Sequence, residues 1–554
     1  MTYTDGEEPI VLVAPHGGRR PADAPIRDSI KVNDLHTAEL TALLASRTRS
    51  YALINHSLDR NDLDLNRVSQ VRARAPWFLA ALVELLSTLV ERHGTARVFF
   101  IHGWNVVQPV CDLGTGLRQR NGTVVPASKV AAPTLSPAFF AEVVLPFRKA
   151  AIAQGIDVAL GRRYPAADKD NVMQVFSARF AQDQSPLIRT LAEFSTHGHV
   201  DAMQLELGVG LRWPGSERDR FIEVFCQTLG NCTPLAPGKG QNLPTVPLAH
   251  SRVPAATPYL NGSPLSLHRT PEPRRLGLHF HDPASGLGLM GGIEFSGAAP
   301  THAGRLMLSL GGTEMILFTG EDDATDVPER VRVGGFVWQN QDEGLAISYR
   351  GMVMRFSHPQ AFIRLEEGLA ASWIEPAEIS LRLTLPPSPA APPLPLFLSH
   401  LQGEVRLRDR TCAIAAWGFL DMLKSEETGR LLPRRLLSLP FGPDLGIFLS
   451  WVETPSGPRS SGIVYHNGAS HPLQPEDWDL RYTLEHGRPT AFHLSLTPPT
   501  PLTLHCSGET LTAIPVVRHA PQGSALAVTF GLSRTVWQGR EARGVYEFSE
   551  RRRE

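Results

Sequence analysis

The chain has 554 residues, of which 42% are hydrophobic, so it can bury several cores and we expect two to four domains. Its 54 lysines and arginines are balanced by 55 aspartates and glutamates, and the formal charge of −1 provides no global basic field to attract nucleic acid or an anionic membrane. The five cysteines are scattered and too few to staple a chain of this length, which favours a reducing compartment.

The amino-terminal segment is acidic and polar, unlike the basic, apolar start of a signal or transit peptide. The longest apolar run, residues 75–90, contains Pro76 and Glu84 and is shorter than a membrane span, so it predicts a buried helix. We therefore expect a cytoplasmic protein whose partners include neither a membrane nor nucleic acid.

Short apolar runs alternate with stretches of helical period over roughly the first 232 residues. The predicted strands are 10–14, 51–54, 97–101 and 202–205, and the predicted helices are 33–47 and 77–92. This alternation is typical of an α/β domain with a mainly parallel sheet and helices on both faces. We predict such a domain at residues 1–232.

Two histidines and a glutamate follow or end predicted strands: His16, His102 and Glu206. Ligands bind at the carboxyl ends of the strands in such sheets, so these side chains could converge. Glycine follows both histidines, where it lets the backbone turn and leaves room for a metal and a substrate. With Asp34 as a carboxylate ligand, His16 and His102 would form a zinc site that keeps one position open for water. The alternative is that the histidines are ordinary surface or core residues.

Glu206 ends an apolar run in which an unpaired carboxylate would be costly. Beside a metal it would act as a general base, taking a proton from water and returning it to a leaving amine. The structural alternative is a salt bridge at the strand end with Arg212.

A second polar cluster lies at residues 60–67, where Asp62 and Asp64 alternate with leucines in a pattern that predicts a strand. Arg60 and Arg67 are candidates for holding a substrate carboxylate, because the guanidinium fork matches both carboxylate oxygens. Alternatively, Arg67 pairs with Asp62 or Asp64 in a structural network.

Taken together, the ordered motifs resemble those of the N-formylglutamate amidohydrolases, which in turn are similar to zinc carboxypeptidases and aspartoacylases. The resemblance covers about residues 8–230. Its motifs are Pro15-His16-Gly17-Gly18, Asp34 with Leu40, Arg60 with Asp64-Leu65-Asn66-Arg67, Ile101-His102-Gly103 and Gln204-Leu205-Glu206-Leu207.

The resemblance implies a phosphorylase/hydrolase-like α/β sheet, one zinc ion per chain and hydrolysis of an amide bond next to a carboxylate. By the same resemblance, His16 and His102 would be metal ligands and Glu206 the general base. Asn66 and Arg67 would form the clamp for the carboxylate of a small-molecule substrate.

Two positions depart from these families. The carboxypeptidases have a glutamate ligand three residues after the first histidine, where this chain has Arg19, and Asp34 is the substitute that we predict. Gly18 stands where the formylglutamate enzymes commonly have serine, which affects the expected substrate more than the expected chemistry.

The second half of the chain has the alternating pattern of β-strands, interrupted by proline-rich stretches. We predict a linker at 233–276, a β-domain at 277–385, a second linker at 386–395 and a second β-domain at 396–554. Residues 279–283 with Gly286 and Gly291, and residues 416–421, resemble the paired lipocalin-like barrels of the carotenoid hydratase and AttH group. Small barrels can hold an apolar ligand, whereas a packed sandwich would serve as a scaffold.

The sequence thus supports two hypotheses. In the first, the protein is a zinc-dependent amidohydrolase that cleaves an N-acyl or N-formyl amino acid or a related carboxylate-bearing amide. In the second, it is a non-catalytic ligand-binding protein whose β-domains bind an apolar small molecule or a partner. Bound metal and turnover distinguish the two.

Overall fold

The computed structural model describes residues 1–20, 31–120, 123–230 and 274–551, the last range with gaps at 283, 296–300, 311–313, 324–329, 342–343, 358–364, 385–395, 425–432, 455–456, 486, 498–502 and 520–524. The chain divides into two compact units, the first with the described residues up to 230 and the second with those from 274 onward. The predicted linker at 386–395 lies outside the described residues, as does the linker at 233–276 up to residue 273.

The first unit contains both strands and helices. Its strands are β1 Thr2–Thr4, β2 Glu8–Ala14, β3 Ser50–Ile54, β4 Ala96–Gly103, β5 Val110–Gly114, β6 Leu117–Arg120, β7 Thr123–Pro126, β8 Asp157–Leu160 and β9 Val200–Leu207. Its α-helices are α1 Thr37–Thr48, α2 Val68–Arg74, α3 Pro76–His93, α4 Pro137–Phe139, α5 Leu145–Ala153, α6 Pro186–Thr196, α7 Val209–Arg212 and α8 Ser216–Gln227. Short π and 3₁₀ segments occupy Phe140–Val144, Val172–Phe176 and Ala178–Phe180.

The described strands of this unit form a seven-stranded sheet in the order β1-β3-β2-β4-β9-β5-β8, with β6 and β7 paired separately. Strand β2 pairs in parallel with β3 and β4, β4 with β9, and β5 with β8. Strands β1 and β5, however, run antiparallel to β3 and β9. The α/β class is confirmed, and the sheet is mixed, with four of its six described pairings parallel.

Both faces of this sheet are covered, because the central strands are apolar on both sides. Along β2, Leu12 belongs to a buried cluster with residues of α1 and α8, including Phe225. Its neighbour Val13 belongs to a second cluster with residues of α3, including Phe78. A strand buried on both faces reads as a continuous apolar run, which is why these strands could be predicted from sequence.

Among the described helices, none alone combines the length and apolar character needed to cross a membrane. Helices α2 and α3 meet that test only when they are taken together, and the chain bends by 99° between them.

The second unit is made almost entirely of strands. These are β10 Arg274–Asp282, β11 Leu287–Phe295, β12 Thr301–Leu310, β13 Glu314–Asp323, β14 Arg330–Val333, β15 Phe336–Gln341, β16 Gly344–Phe356, β17 Trp373–Thr384, β18 Leu396–Arg406, β19 Thr411–Lys424, β20 Arg434–Pro440, β21 Leu445–Thr454, β22 Gly457–His466, β23 Ala469–Leu473, β24 Trp478–Glu485, β25 Arg488–Leu496, β26 Leu504–His519, β27 Ala525–Trp537 and β28 Arg540–Arg551. A helix, α9 Leu365–Ala370, precedes β17, and a 3₁₀ turn spans Pro475–Asp477.

Strands β10–β19 form a ten-stranded sheet in the order β13-β12-β11-β10-β19-β18-β17-β16-β15-β14. A further pairing between β13 and β16 closes this sheet into a barrel, which β14 and β15 extend. Strands β20–β28 form a nine-stranded sheet whose described strands have two open edges. Because β17 pairs with β18, the chain passes from the barrel to the nine-stranded sheet between Lys424 and Arg434. It does not do so at 386–395, where the linker between the two β-domains was predicted.

The barrel and the nine-stranded sheet pack through an apolar cluster that includes Leu398 and Phe419 from the barrel and Phe448 from the other sheet. Side chains alternate along a strand, so Leu278 and Leu420 face the opposite way, which in a closed ring is the interior. Both are fully buried, and the inward face of the barrel is therefore apolar at this level.

Candidate active site

The sequence-predicted histidines and glutamate lie at the same edge of the sheet of the first unit. His16 follows β2 by two residues, and His102 and Glu206 are direct neighbours near the ends of the parallel strands β4 and β9. The loop that carries Asp34 is joined to the first of these ends, because the Asp34 backbone N–H donates to the carbonyl of His16 at 2.8 Å. All four side chains are buried, so the predicted convergence occurs.

One carboxylate oxygen lies between the two imidazole rings. Oδ2 of Asp34 is 3.2 Å from Nδ1 of His16 and 3.1 Å from Nδ1 of His102. One potential ligand atom from each of the three residues lies within 4.8 Å of the others. Tetrahedral zinc with bonds of about 2.0–2.1 Å places its ligand atoms roughly 3.3 Å apart. The two distances from the Asp34 oxygen are close to this separation, so the three residues could hold a metal ion.

A second carboxylate orients the first histidine. Nε2 of His16 is 2.7 Å from Oδ1 of Asp64, a contact in which the ring nitrogen donates to an ionised carboxylate. With Nε2 held by Asp64, Nδ1 is the ring nitrogen that faces Asp34 and could bind a metal, the arrangement that carboxylates commonly impose on metal-binding histidines. His102 differs, because its Nε2 is a buried atom without a hydrogen-bond partner in the described part of the chain.

Nearby cations hold both aspartates in the ionised form. Burial alone would raise the pKa of Asp34, but Arg60 and His16 outweigh it and keep that pKa well below the usual range. Burial also acts to raise the pKa of Asp64, and the hydrogen bond from His16 and the charge of Arg60 lower it overall. Both aspartates are therefore ionised beside the histidines.

Glu206 has the opposite character. Burial raises its pKa to about 7, and the charge of Asp34 adds to this effect, whereas His102 and Arg60 oppose it. Nε2 of Gln204 donates to Oε1 of Glu206 at 2.7 Å and orients the carboxyl group. A carboxyl group with a pKa near the working pH can both accept and release a proton. The structural alternative, a salt bridge with Arg212, is not what the contacts show, because that guanidinium donates to backbone carbonyls.

The predicted strand at residues 60–67 is wrong, because the segment is a series of turns that ends in the isolated bridge of Arg67 to Asn171. Asp64 organises these turns through its side chain, since Oδ1 accepts from the backbone N–H of Asn66 at 3.0 Å as well as from His16. Short polar side chains compete with strand pairing in this way. The alternation of leucine and aspartate reflects local burial and not a pleated strand.

The residues predicted to clamp a substrate carboxylate have different surroundings in the structure. Arg60 belongs to the cluster, because Nη1 donates to Oδ1 of Asp34 at 3.0 Å. Arg67 is 40% exposed, and its nearest carboxylate oxygens, on Asp64 and Asp170, lie 3.8 and 4.0 Å away, beyond hydrogen-bond distance. Oδ1 of Asn66 is buried and has no hydrogen-bond donor among the described residues. The structure therefore leaves Arg67 accessible to an anion but also places it beside Asp64, as the structural alternative expected.

The glycines serve close packing of the backbone. A Cβ atom at Gly103 would lie 2.4 Å from Nη1 of Arg212, and one at Gly18 would lie 2.1 Å from the carbonyl oxygen of Leu58. The structure gives these glycines a packing role, and room for a metal and a substrate stays a prediction. The turns after the histidines need glycine because neighbouring chain segments press against them.

Sequence reasoning missed several contributors to the site. Gln204 precedes Glu206 by two residues on β9, so both side chains lie on the same face of the strand. This spacing of two could have identified Gln204 from the sequence. Lys31, with Nζ 3.6 Å from Oδ2 of Asp64, gave no signal. Asp112 lies beside Glu206 on β5 and accepts backbone N–H groups from residues 162–164. From the sequence, Arg212 was considered only as a salt-bridge partner of Glu206, and its hydrogen bonds to backbone carbonyls were not predicted.

Comparison with known proteins gives likenesses of fold at low similarity. No family model and no curated protein matches the chain. N-formylglutamate amidohydrolase from Ralstonia eutropha is 15% identical with a TM-score of 0.27, covering 41% of this chain and 95% of that one. An AttH-like protein from Nitrosomonas europaea is 13% identical with a TM-score of 0.34, covering 53% and 99%. Kievitone hydratase from Nectria haematococca is 8% identical with a TM-score of 0.29, covering 51% and 92%. Such scores carry no argument about activity.

The raised pKa of Glu206 predicts a pH-dependent stability of the metal-free protein. The folded state holds this proton more tightly than the unfolded chain, whose glutamate pKa is 4.5. The stabilisation is therefore fully present below pH 4.5 and is lost as the pH rises through about 7. Glu206→Gln removes this loss, so its melting temperature relative to wild type should be higher at pH 8 than at pH 5. Calorimetry with a chelator measures this, with the exposed Glu142→Gln as control, and an equal difference at both pH values would contradict the assignment.

Proposed function

We propose that the first unit is a zinc-dependent amidohydrolase that cleaves an N-acyl or N-formyl amino acid or a related carboxylate-bearing amide. The observation that supports it is the convergence of two imidazole nitrogens and a carboxylate oxygen beside a buried glutamate. The half-exposed guanidinium of Arg67, which has no carboxylate within hydrogen-bond distance among the described residues, favours an anionic small molecule as substrate. One zinc ion per chain is expected.

His16, Asp34 and His102 would hold the ion. When bound at such a site, zinc lowers the pKa of water and polarises a carbonyl oxygen. Asp64 and Arg60 would keep two of the three ligands in place. Asp64 contacts Nε2 of His16, the ring nitrogen that faces away from Asp34, and Arg60 contacts Oδ1 of Asp34, the oxygen that faces away from the histidines.

Glu206 would move the proton. It accepts a proton from the attacking water as the oxygen bonds to the amide carbon, and it returns that proton to the nitrogen as the C–N bond breaks. The products are a carboxylic acid and an amine. In the metal-free site burial raises the pKa of this group to about 7, so the surroundings favour a carboxyl group that can take up a proton as well as release it. Gln204 keeps the carboxyl group oriented throughout.

Arg67 and Asn66 would bind the substrate carboxylate and its neighbouring amide. The guanidinium of Arg67 offers a planar pair of donors, and Oδ1 of Asn66 offers a buried acceptor. Arg60 would contribute charge, although its Nη1 is already engaged with Asp34. Lys31 adds a further positive charge near Asp64.

The alternative hypothesis concerns the second unit. We propose as the alternative that the protein binds ligands without catalysis, with the β-strands holding an apolar small molecule or a partner. The observation that favours it is the closed barrel with an apolar inward face. A cytoplasmic location stays a prediction from the cysteine content.

Purified protein should contain about one zinc ion per chain, and His102→Ala and Asp34→Ala should reduce it to a small fraction, because each removes one of three ligands. Elemental analysis checks this. His199→Ala is the control, since His199 is exposed and its Nδ1 lies 3.1 Å from the carbonyl oxygen of Gly94, which precedes β4. Undiminished zinc in His102→Ala would overturn the ligand assignment.

Glu206→Gln should retain zinc while turnover falls by roughly 10² to 10⁴, because glutamine keeps the shape but cannot accept the proton. Turnover is measured on whichever N-formyl or N-acyl amino acid the wild type hydrolyses, with zinc content determined on the same samples. Parallel loss of zinc would make Glu206 a ligand and not a base.

Arg67→Lys should lower kcat/KM by on the order of ten-fold or more, because the charge stays but the fork is lost. The wild type should also prefer the free acid over the corresponding amide, and the variant should discriminate less. Arg72→Lys is a matched control, since Arg72 is 45% exposed on α2 and pairs with Asp183. A lower melting temperature with unchanged kinetics would instead identify Arg67 as a structural partner of Asp64.

A further inference from the structure

We propose that Arg212 is a positioning residue that joins the three chain segments carrying Asp34, His102 and Glu206. The inference deepens the proposed function and rests on it for the chemistry of these three residues. The tie between the segments can nevertheless be tested without metal or substrate.

The side chain of Arg212 is fully buried and is among the largest side chains in the described part of the protein with that property. Its Nε donates to the carbonyl of Leu207 at 3.0 Å, and Nη1 donates to the carbonyl of Leu35 at 2.7 Å. Nη2 donates to the carbonyl of Trp104 at 3.2 Å and to Oδ1 of Asn105 at 3.3 Å. One rigid group thus contacts three separate segments.

Each backbone acceptor is close in sequence to a residue of the site. Leu207 directly follows Glu206, Leu35 directly follows Asp34, and Trp104 follows His102 by two residues. The guanidinium is planar with its donors in a fixed fork, so the three carbonyls must keep a fixed relation to one another. Gly103 completes the fit, because any side chain there would collide with Nη1.

Burying a guanidinium that is hydrogen-bonded only to neutral groups is costly unless a nearby negative charge compensates its positive charge. The carboxylates that act on Arg212 are Asp34 and Glu206, both members of the site, and its pKa, lowered by burial to about 10, still leaves it charged at neutral pH. The indole of Trp213 covers the group, with Cζ 5.1 Å from the ring centroid. Arg212 therefore supplies a buried positive charge as well as a geometric tie.

The test compares wild type with Arg212→Lys, which keeps the charge but loses the fork, and Arg212→Met, which loses both. Arg148→Met is the matched control, because Arg148 is a half-buried arginine on α5 whose Nε donates to the carbonyl of Val158 at 2.9 Å, away from the site. Asn105→Ala removes only the side-chain acceptor and gives a milder version if the Arg212 variants fail to fold.

Hydrogen exchange of the metal-free proteins is the first measurement. Exchange should rise together in peptides covering residues 31–37, 101–107 and 204–211 in the Arg212 variants, and to a smaller degree in Asn105→Ala, but not in Arg148→Met. A rise confined to 204–211, or spread evenly over the first unit, would overturn the proposal.

Cobalt(II) titration is the second measurement, because its visible spectrum reports ligand geometry without turnover. Both Arg212 variants should bind cobalt at least ten-fold more weakly with an altered spectrum, and on an active substrate kcat should fall more than KM rises. Unchanged affinity and spectrum would also overturn the proposal. If the wild type binds no metal, the proposed function fails, while the exchange data still decide whether Arg212 ties the segments together.

Discussion

The first unit depends on how the charge of one buried carboxylate is satisfied. Oδ2 of Asp34 contacts imidazole nitrogens from two different strand ends, and Oδ1 accepts from Arg60. An ionised carboxylate without such partners could not remain buried. The loop that carries Asp34 must therefore pack against the ends of β2 and β4, and the turns before α1 are fixed by that requirement.

The carboxyl groups of the site differ because their neighbours differ. Asp34 and Asp64 are each in contact with a histidine and near Arg60, so they remain ionised. Glu206 receives a hydrogen bond from a neutral amide and lies near Asp34, so burial dominates and its pKa rises. Environments that push carboxyl pKa values apart commonly separate the roles of ligand and acid–base group. The same physical rule thus accounts for both the proposed metal ligands and the proposed base.

Strands and long helices of the first unit were predictable from sequence, because sheets buried on both faces produce continuous apolar runs. The convergence of His16, His102 and Glu206 followed from the strand ends alone. The directions of the outer strands could not be predicted in this way, since the direction of β5 relative to β9 is set by long-range pairing that leaves no local period. The turns around Asp64 were also missed, because a side chain that bonds its own backbone mimics the alternation of a strand. The pairing of β17 with β18 across residues 385–395 was hidden by the proline-rich composition between them.

The order of strands in the barrel has a consequence for how the protein folds as it is synthesised. The seam between β13 and β16 can form early, but β10 and β17 acquire their remaining neighbours only when β18 and β19 insert between them. Until Lys424 has been synthesised and has left the ribosome, β10 and β17 expose unpaired edges. Such edges are surfaces on which chains can associate incorrectly. Closure also pairs Arg274 with Lys424, a contact of long sequence separation that slows folding. The second unit therefore exposes unpaired strand edges until its first sheet is complete.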